Sequence, residues 1–409
     1  MIGDGWDGEP SVRPGEYGEP MAAPAIGVKR ILAVTGSRAD FGLLVPVLRA
    51  IEGAPGLELL VVAAGSHLVP PALTYHDVKK LFHVADAAPM QTPGRTTRLD
   101  DAESTGRGLH RFARIYRRLS PTWVVVLGDR IEAFAAAAAA SIAGIPVAHI
   151  HGGDRAEGVA DESLRHATTK LSHLHLAATP ASAQRILKMG ERPESVHVVG
   201  SPAVDGLDRV EPMSDAAASE LGSPDTVLLF HPVGRQAEHE EASASGAIEA
   251  LAGRRVLALD PNLDPGRDGI MRALEGAPAS TVVRRMPHME RPRFLSLLKR
   301  LAAAGGPDGS GGGLIVGNSS AALIEAAALK LPAVNIGPRQ AGRERPTNVV
   351  DAPGDNANDI RQAIQLALTI DRAAISHPYG DGRTGPRIAE ILALAPAPDE
   401  RLLRKRNAY

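Results

Sequence analysis

The sequence predicts an α/β protein made of two Rossmann-like, doubly wound domains that face a cleft. Short apolar runs alternate with stretches of helical spacing along most of the chain, and the alternation lapses near residues 202–224 and then restarts. Each half also sets a loop of small and polar residues between an apolar strand and a helix. Strands alternating with helices give a parallel sheet covered on both faces, with ligand loops at the carboxyl ends of the strands.

In the first half the apolar runs place strands at Lys29–Thr35, Leu57–Ala64, Trp123–Leu127, Pro146–Ile150, His173–Ala178 and Val196–Val199. Gly42–Ile51 has helical spacing, and the Ala-rich tract Ala133–Ala140 reads as a helix packed closely on the sheet. In the second half the strands fall at Val227–Phe230, Arg255–Leu259, Thr281–Arg284, Leu314–Val316 and Ala333–Ile336. The expected organisation is a disordered tail over 1–27, a first domain over 28–203 and a second over 204–376. A helix over 377–395 crosses back to the first domain, and 396–409 forms a tail. Gly305–Gly313 reads as a flexible surface insertion.

A chain of 409 residues suits two domains rather than one core. A net charge of -2 gives no basic field for nucleic acid or an anionic membrane. The lack of cysteine removes thiolate nucleophiles and Cys-ligated zinc, and 3% aromatic residues leave no platform for stacking bases. No apolar run approaches the roughly 20 residues of a membrane span, and residues 1–27 lack the pattern of a signal peptide. The expectation is a cytoplasmic protein with neither a nucleic-acid nor a membrane partner.

Chemistry-bearing residues gather at the strand ends. In Thr35–Gly42 (TGSRADFG), helix-start amides and Arg38 suit an anion, while a tight turn capped by Asp40 explains the loop equally well. Asn318, Ser319 and Ser320 occupy the matching place in the second half and suit a diphosphate. Glu325 could accept both hydroxyls of a ribose; a serine cap with Glu325 on a solvated face is the simpler account. Asp129 ends the strand Trp123–Leu127 and faces the cleft, unless it caps the following helix. His149, His151 and Asp154 surround a Gly-Gly turn, with Glu157, Asp161, Glu162, Arg165 and His166 following. Such a cluster suits acid–base chemistry. His149 and His151 share a face if both lie on a strand, and Asp161 and Arg165 sit one helical turn apart. The His-x-His spacing would also fit a metal, but salt bridges and proton relays account for the same residues, so no metal or cofactor is expected. His231 ends the leading strand of the second half, and Pro261–Gly266, including Asn262, either reads a base edge or simply turns the chain.

Together these segments resemble the UDP-N-acetylglucosamine 2-epimerase family, and most closely its hydrolysing branch in sialic-acid and nonulosonate synthesis. The matching motifs are TGSRADFG at 35–42, LGDRIE at 127–132, HIHGGD at 149–154 with DESLRHATTKLSHLH at 161–175, and VGSPAVD at 199–205. They continue with HP at 231–232, GNSSAALIEA at 317–326, VNIGPRQAGR at 334–343 and HPYGDG at 377–382. The resemblance implies a glycosyltransferase-B architecture, a UDP-sugar substrate held mostly by the second domain, and a homodimer. It implies elimination of UDP across C1–C2 to a 2-acetamidoglucal, then addition of water to give a free manno-configured sugar. Asp129, His151 and Asp161 match its acid–base positions, with Asp154 and Arg165 beside them. Arg38, Asp40, His231, Asn262, Ser319, Ser320, Glu325 and Arg339 fall at nucleotide-binding places, with Arg343 assisting. Val69–Ala72 after His67-Leu68, Asp154 in place of Glu and Asp161-Glu162 in place of Asp-Asp depart from the common pattern. They point to a different sugar, such as a 2,4-diacetamido-2,4,6-trideoxy sugar, or to reduced activity.

Overall fold

The computed structural model describes residues 20–70, 72–94, 97–156, 162–262, 264–278, 281–304 and 312–408. Strands β1 (Lys29–Thr35), β2 (Leu57–Ala64), β3 (Val84–Ala88), β4 (Trp123–Leu127), β5 (Val147–Ile150), β6 (Leu174–Ala177) and β7 (Val196–Val198) form the first sheet. Strands β8 (Thr226–Leu229), β9 (Val256–Leu259), β10 (Val282–Met286), β11 (Leu314–Gly317), β12 (Ala333–Ile336) and β13 (Val349–Ala352) form the second. Their orders are β3-β2-β1-β4-β5-β6-β7 and β10-β9-β8-β11-β12-β13, and every pairing is parallel. In each sheet the order reverses beside its leading strand, between β1 and β4 and between β8 and β11. Ligands gather at such switch points, at the carboxyl ends of the strands. The loops there are the four that carry Ser37, Asp129, His231 and Ser319.

Central strands such as β4 are buried along their whole length, which is why they read as continuous apolar runs. The helix Ile131–Ile142 lies on them through Ala135, Ala136, Ala137 and Ala140, whose small side chains allow close approach. The edge strands β3 and β13 have no such run: VADAA and VVDA are mostly half-buried and carry an Asp each, so the sequence pattern passes over both.

Two segments cross between the domains, and they bind one another. The helix Thr384–Leu394 has no side-chain cap of its own from Arg383. Asp205, on the other crossing, supplies it by accepting hydrogen bonds from Thr384 N at 2.9 Å and Gly385 N at 2.6 Å. The helix then lays Ile388, Ala389 and Leu392 into the core of the first domain.

Two segments expected as tails are attached where they are described. Met21 N donates to Arg118 O at 2.9 Å, and the Arg30 guanidinium bonds Ala22 O. At the other end, Lys405 Nζ donates to Ser172 O at 2.6 Å and pairs with buried Glu191 at 2.7 Å, following a short helix at Glu400–Leu403. Neither attachment has a hydrophobic period behind it. Most of the Gly305–Gly313 insertion lies outside the described residues.

Candidate active site

Asp129 leaves β4 as the second residue after Leu127, and its carboxylate pairs with the Arg165 guanidinium. It is not the cap of the next helix; Arg130 holds that position without a side-chain cap bond. Arg165 is buried and donates its other arm to His151 O at 3.0 Å. One guanidinium therefore fixes the end of β4 against the turn that follows β5.

His151 does not share a face with His149. The strand ends at Ile150, and His151 adopts φ 63°, a left-handed conformation that costs a non-glycine residue energy. The two rings part as a result. His149 turns into the core, with Nε2 at 2.7 Å from Gly128 O and Nδ1 at 3.2 Å from Thr169 Oγ1, and burial pushes its pKa down to about 3. His151 instead sets Nδ1 at 2.8 Å from Asp154 Oδ2 and Nε2 at 3.0 Å from Ser201 Oγ.

Asp154 sits behind this ring and is 1% exposed. Ser182 Oγ donates to Oδ1 at 2.8 Å, and Arg343 Nη2 approaches Oδ2 at 3.7 Å. Burial alone would raise its pKa, but His151, Arg343 and Arg165 overcome that and hold the carboxyl below the usual range. Both oxygens are committed, one to His151 and Arg343 and the other to Ser182. Gly153 permits the tight turn: a Cβ there would lie 2.2 Å from Ser182 O, at φ 73°. Asp161 lies outside the described residues, and the helix is described from Glu162.

In the loop after β1 the Asp40 carboxylate is taken up by the turn itself. Asp40 accepts from Gly36 N and Ser37 N, each at 2.8 Å, and forms a capping box with Ser37. Those two amides are occupied, and Asp40 caps the helix. Arg38 remains. It is half-buried, with its pKa lowered to about 10 by desolvation against the opposing pull of Asp77.

In the second domain Ser319 caps the turn that follows it, its Oγ accepting from Ala321 N at 3.4 Å. Gly317 holds φ 138°, and a Cβ there would stand 1.9 Å from Leu229 O, so only glycine brings β11 into its turn beside β8. Ser319 and Ser320 are half-buried. After them come a 3-10 turn at Ser320–Ala322 and a short helix at Glu325–Ala328, so the dipole contribution is small. Asn318 bridges to His231 in both directions at 2.7 Å. Asn262 N donates to His231 Nδ1 at 3.2 Å. Burial, with Arg339 adding to it, lowers the His231 pKa to about 3, so the ring is neutral and carries its proton on Nε2 as a donor. Asn262 thus meets the site through its backbone, while its side-chain amide bonds Asp264. Arg339 Nη1 reaches Asn318 O at 3.4 Å.

Arg343, expected beside the nucleotide, crosses to the first domain. Besides Asp154 it reaches Arg155 O with Nε at 3.4 Å. Next to it Arg185 of the first domain pairs with Glu344 at 2.5 Å, and Arg130 lies 3.8 Å from Asp264. These contacts bring both switch points onto one cleft. Ser182, Ser201 and Arg291, which pairs with Glu325, enter the site without having been singled out from sequence. Ser201 lies within a matching motif; Arg291 looks only like the start of a helix. Among the described residues no three His, Asp or Glu side chains converge to hold a metal, and no helix is long and apolar enough to cross a membrane.

Fold and site together define a two-lobed enzyme of the glycosyltransferase-B type. The chain belongs to the UDP-N-acetylglucosamine 2-epimerase family, whose model matches residues 49–393. It is 33% identical over 394 residues to UDP-N,N'-diacetylbacillosamine 2-epimerase (hydrolyzing) of Legionella pneumophila, covering 93% of this chain and 100% of that one. It is 31% identical over 376 residues to UDP-N-acetylglucosamine 2-epimerase of Neisseria meningitidis, covering 89% and 95%. Among solved structures, the UDP-GlcNAc 2-epimerase of Methanocaldococcus jannaschii in complex with UDP-GlcNAc and UDP superposes with a TM-score of 0.74. That match has 20% identity and covers 90% of this chain and 100% of that one.

Proposed function

We propose that this protein is a hydrolysing 2-epimerase that converts a UDP-2-acetamido sugar into UDP and the free manno-configured sugar. The diphosphate lies against Ser319, Ser320, His231 and Arg339, with Arg38 reaching from the opposite domain. Glu325 accepts the ribose hydroxyls, and Asn262 supports the site by orienting His231. The sugar rests over Asp129 and His151. Supporting this is the arrangement in which Arg165 joins Asp129 to the backbone of His151 while Asp154 orients the ring.

A proton at C2 is weakly acidic, so C1–O cleavage runs ahead and gives C1 cationic character. Carboxylates stabilise that charge while Arg and Ser donors receive the leaving diphosphate. Asp129, His151 and Asp161 divide removal of the C2 proton, its return from the other face and activation of water. UDP-2,4-diacetamido-2,4,6-trideoxyglucose is the favoured substrate over UDP-N-acetylglucosamine. Two relatives, from Legionella pneumophila and Campylobacter jejuni, are named for N,N'-diacetylbacillosamine. The product then feeds synthesis of a sialic-acid-like sugar, and the enzyme works in the cytoplasm as a homodimer without metal or cofactor.

Incubation with each UDP-sugar and separation of products tests the reading. UDP and a free manno sugar are expected. Accumulation of a UDP-linked manno epimer would assign the chain to non-hydrolysing chemistry, and tight UDP binding with no turnover would make it a binding protein.

A further inference from the structure

We propose that Arg291 is a positioning residue that supplies the counter-charge for Glu325 beside a bound nucleoside diphosphate and ties that carboxylate to the crossing between the domains. This rests on the reading of Glu325 as the ribose acceptor.

Glu325 is 4% exposed and stands five residues beyond Ser320, close to where a diphosphate is placed. A buried carboxylate there repels the ligand it is meant to receive, unless a cation neutralises it. Arg291 Nη1 lies 2.6 Å from Glu325 Oε1. One carboxylate oxygen is thereby paired and fixed, and the other is left to accept hydroxyls.

The other arm of Arg291 leaves the second domain's nucleotide loop. Nη2 donates to Ala203 O at 2.9 Å, in the crossing segment, and a Cβ on Gly42 would sit 3.0 Å from Arg291 Cδ. The arginine is therefore pinned between Glu325, the crossing and the first helix of the first domain. Neutralisation of Glu325 depends on the spacing of the two domains, which links nucleotide affinity to their arrangement.

Calorimetric titration with UDP and 2'-deoxy-UDP at pH 8 tests this for wild type, Arg291→Lys, Arg291→Met, Glu325→Gln and the double variant Arg291→Met/Glu325→Gln. Arg291→Met is expected to weaken UDP about tenfold or more, because Glu325 then faces the diphosphate as an unpaired buried carboxylate. Arg291→Lys retains most of the affinity, and the double variant binds within about threefold of Glu325→Gln alone. Additive losses in the double variant would overturn the proposal. If Glu325→Gln keeps the full preference for UDP over 2'-deoxy-UDP, the ribose reading falls and this proposal with it. Loss of that preference together with additive Arg291→Met effects would leave the ribose reading standing and overturn the proposal alone. Should Arg291→Met not fold, Arg291→Gln carries the same expectation.

Discussion

The His151 ring lies 2.8 Å from the Asp154 carboxylate on one side and 3.0 Å from the Ser201 hydroxyl on the other. A carboxylate held ionised behind an imidazole fixes its tautomer and orientation. Asp154→Asn keeps the shape and removes the charge. The expected result is a loss of turnover of about tenfold to a hundredfold with UDP affinity changed less than threefold. Steady-state kinetics beside UDP titration checks it, and an equal loss in both would place Asp154 in binding instead.

Asp129 faces the same cleft under a different constraint, because its carboxylate is paired with Arg165. Asp129→Asn and Asp161→Asn are each expected to lower turnover by about a hundredfold or more with a smaller effect on UDP affinity. Wild-type turnover in either variant would remove that residue from the acid–base roles.

Gly317 has a backbone and an environment that admit no side chain. Gly317→Ala forces either β11 or β8 to move, at a cost of roughly 1–3 kcal/mol or more. Thermal denaturation should show a lowered Tm, and UDP affinity should fall as Ser319 and Ser320 shift. An unchanged Tm would mean that the β11 turn is adaptable.

His149 is fully buried with its pKa lowered to about 3, against about 6.5 in an unfolded chain. Between those values the unfolded state binds the extra proton. Its contribution to stability is whole above pH 6.5 and is lost as pH falls toward 3, with a slope of about 1.4 kcal/mol per pH unit. Denaturant unfolding at several pH values should show that slope reduced in His149→Gln. The same slope in the variant would assign the acid sensitivity to other groups.

The central strands and both switch-point loops were legible in the sequence, because a buried parallel strand is a continuous apolar run and its exit loop is small and polar. Where legibility failed, tertiary contacts had decided the outcome. Edge strands β3 and β13 are half-buried and carry charge. Asp40 was readable either as ligand contact or as cap, and only the fold shows its oxygens on Gly36 and Ser37. His149 and His151 look equivalent in sequence, yet a single left-handed residue at the strand end separates them. Arg291 and Arg343 act across long sequence separations, on Glu325 and Asp154, and no local pattern announces such a partner.

The central claim is that one cleft both holds the diphosphate and moves the C2 proton. Proton and carbon NMR of the reaction in deuterated water tests it most directly. Turnover of UDP-2,4-diacetamido-2,4,6-trideoxyglucose or UDP-N-acetylglucosamine is predicted to release UDP and a free manno sugar bearing solvent deuterium at C2. A manno product with its original hydrogen retained at C2 would contradict elimination through a glycal.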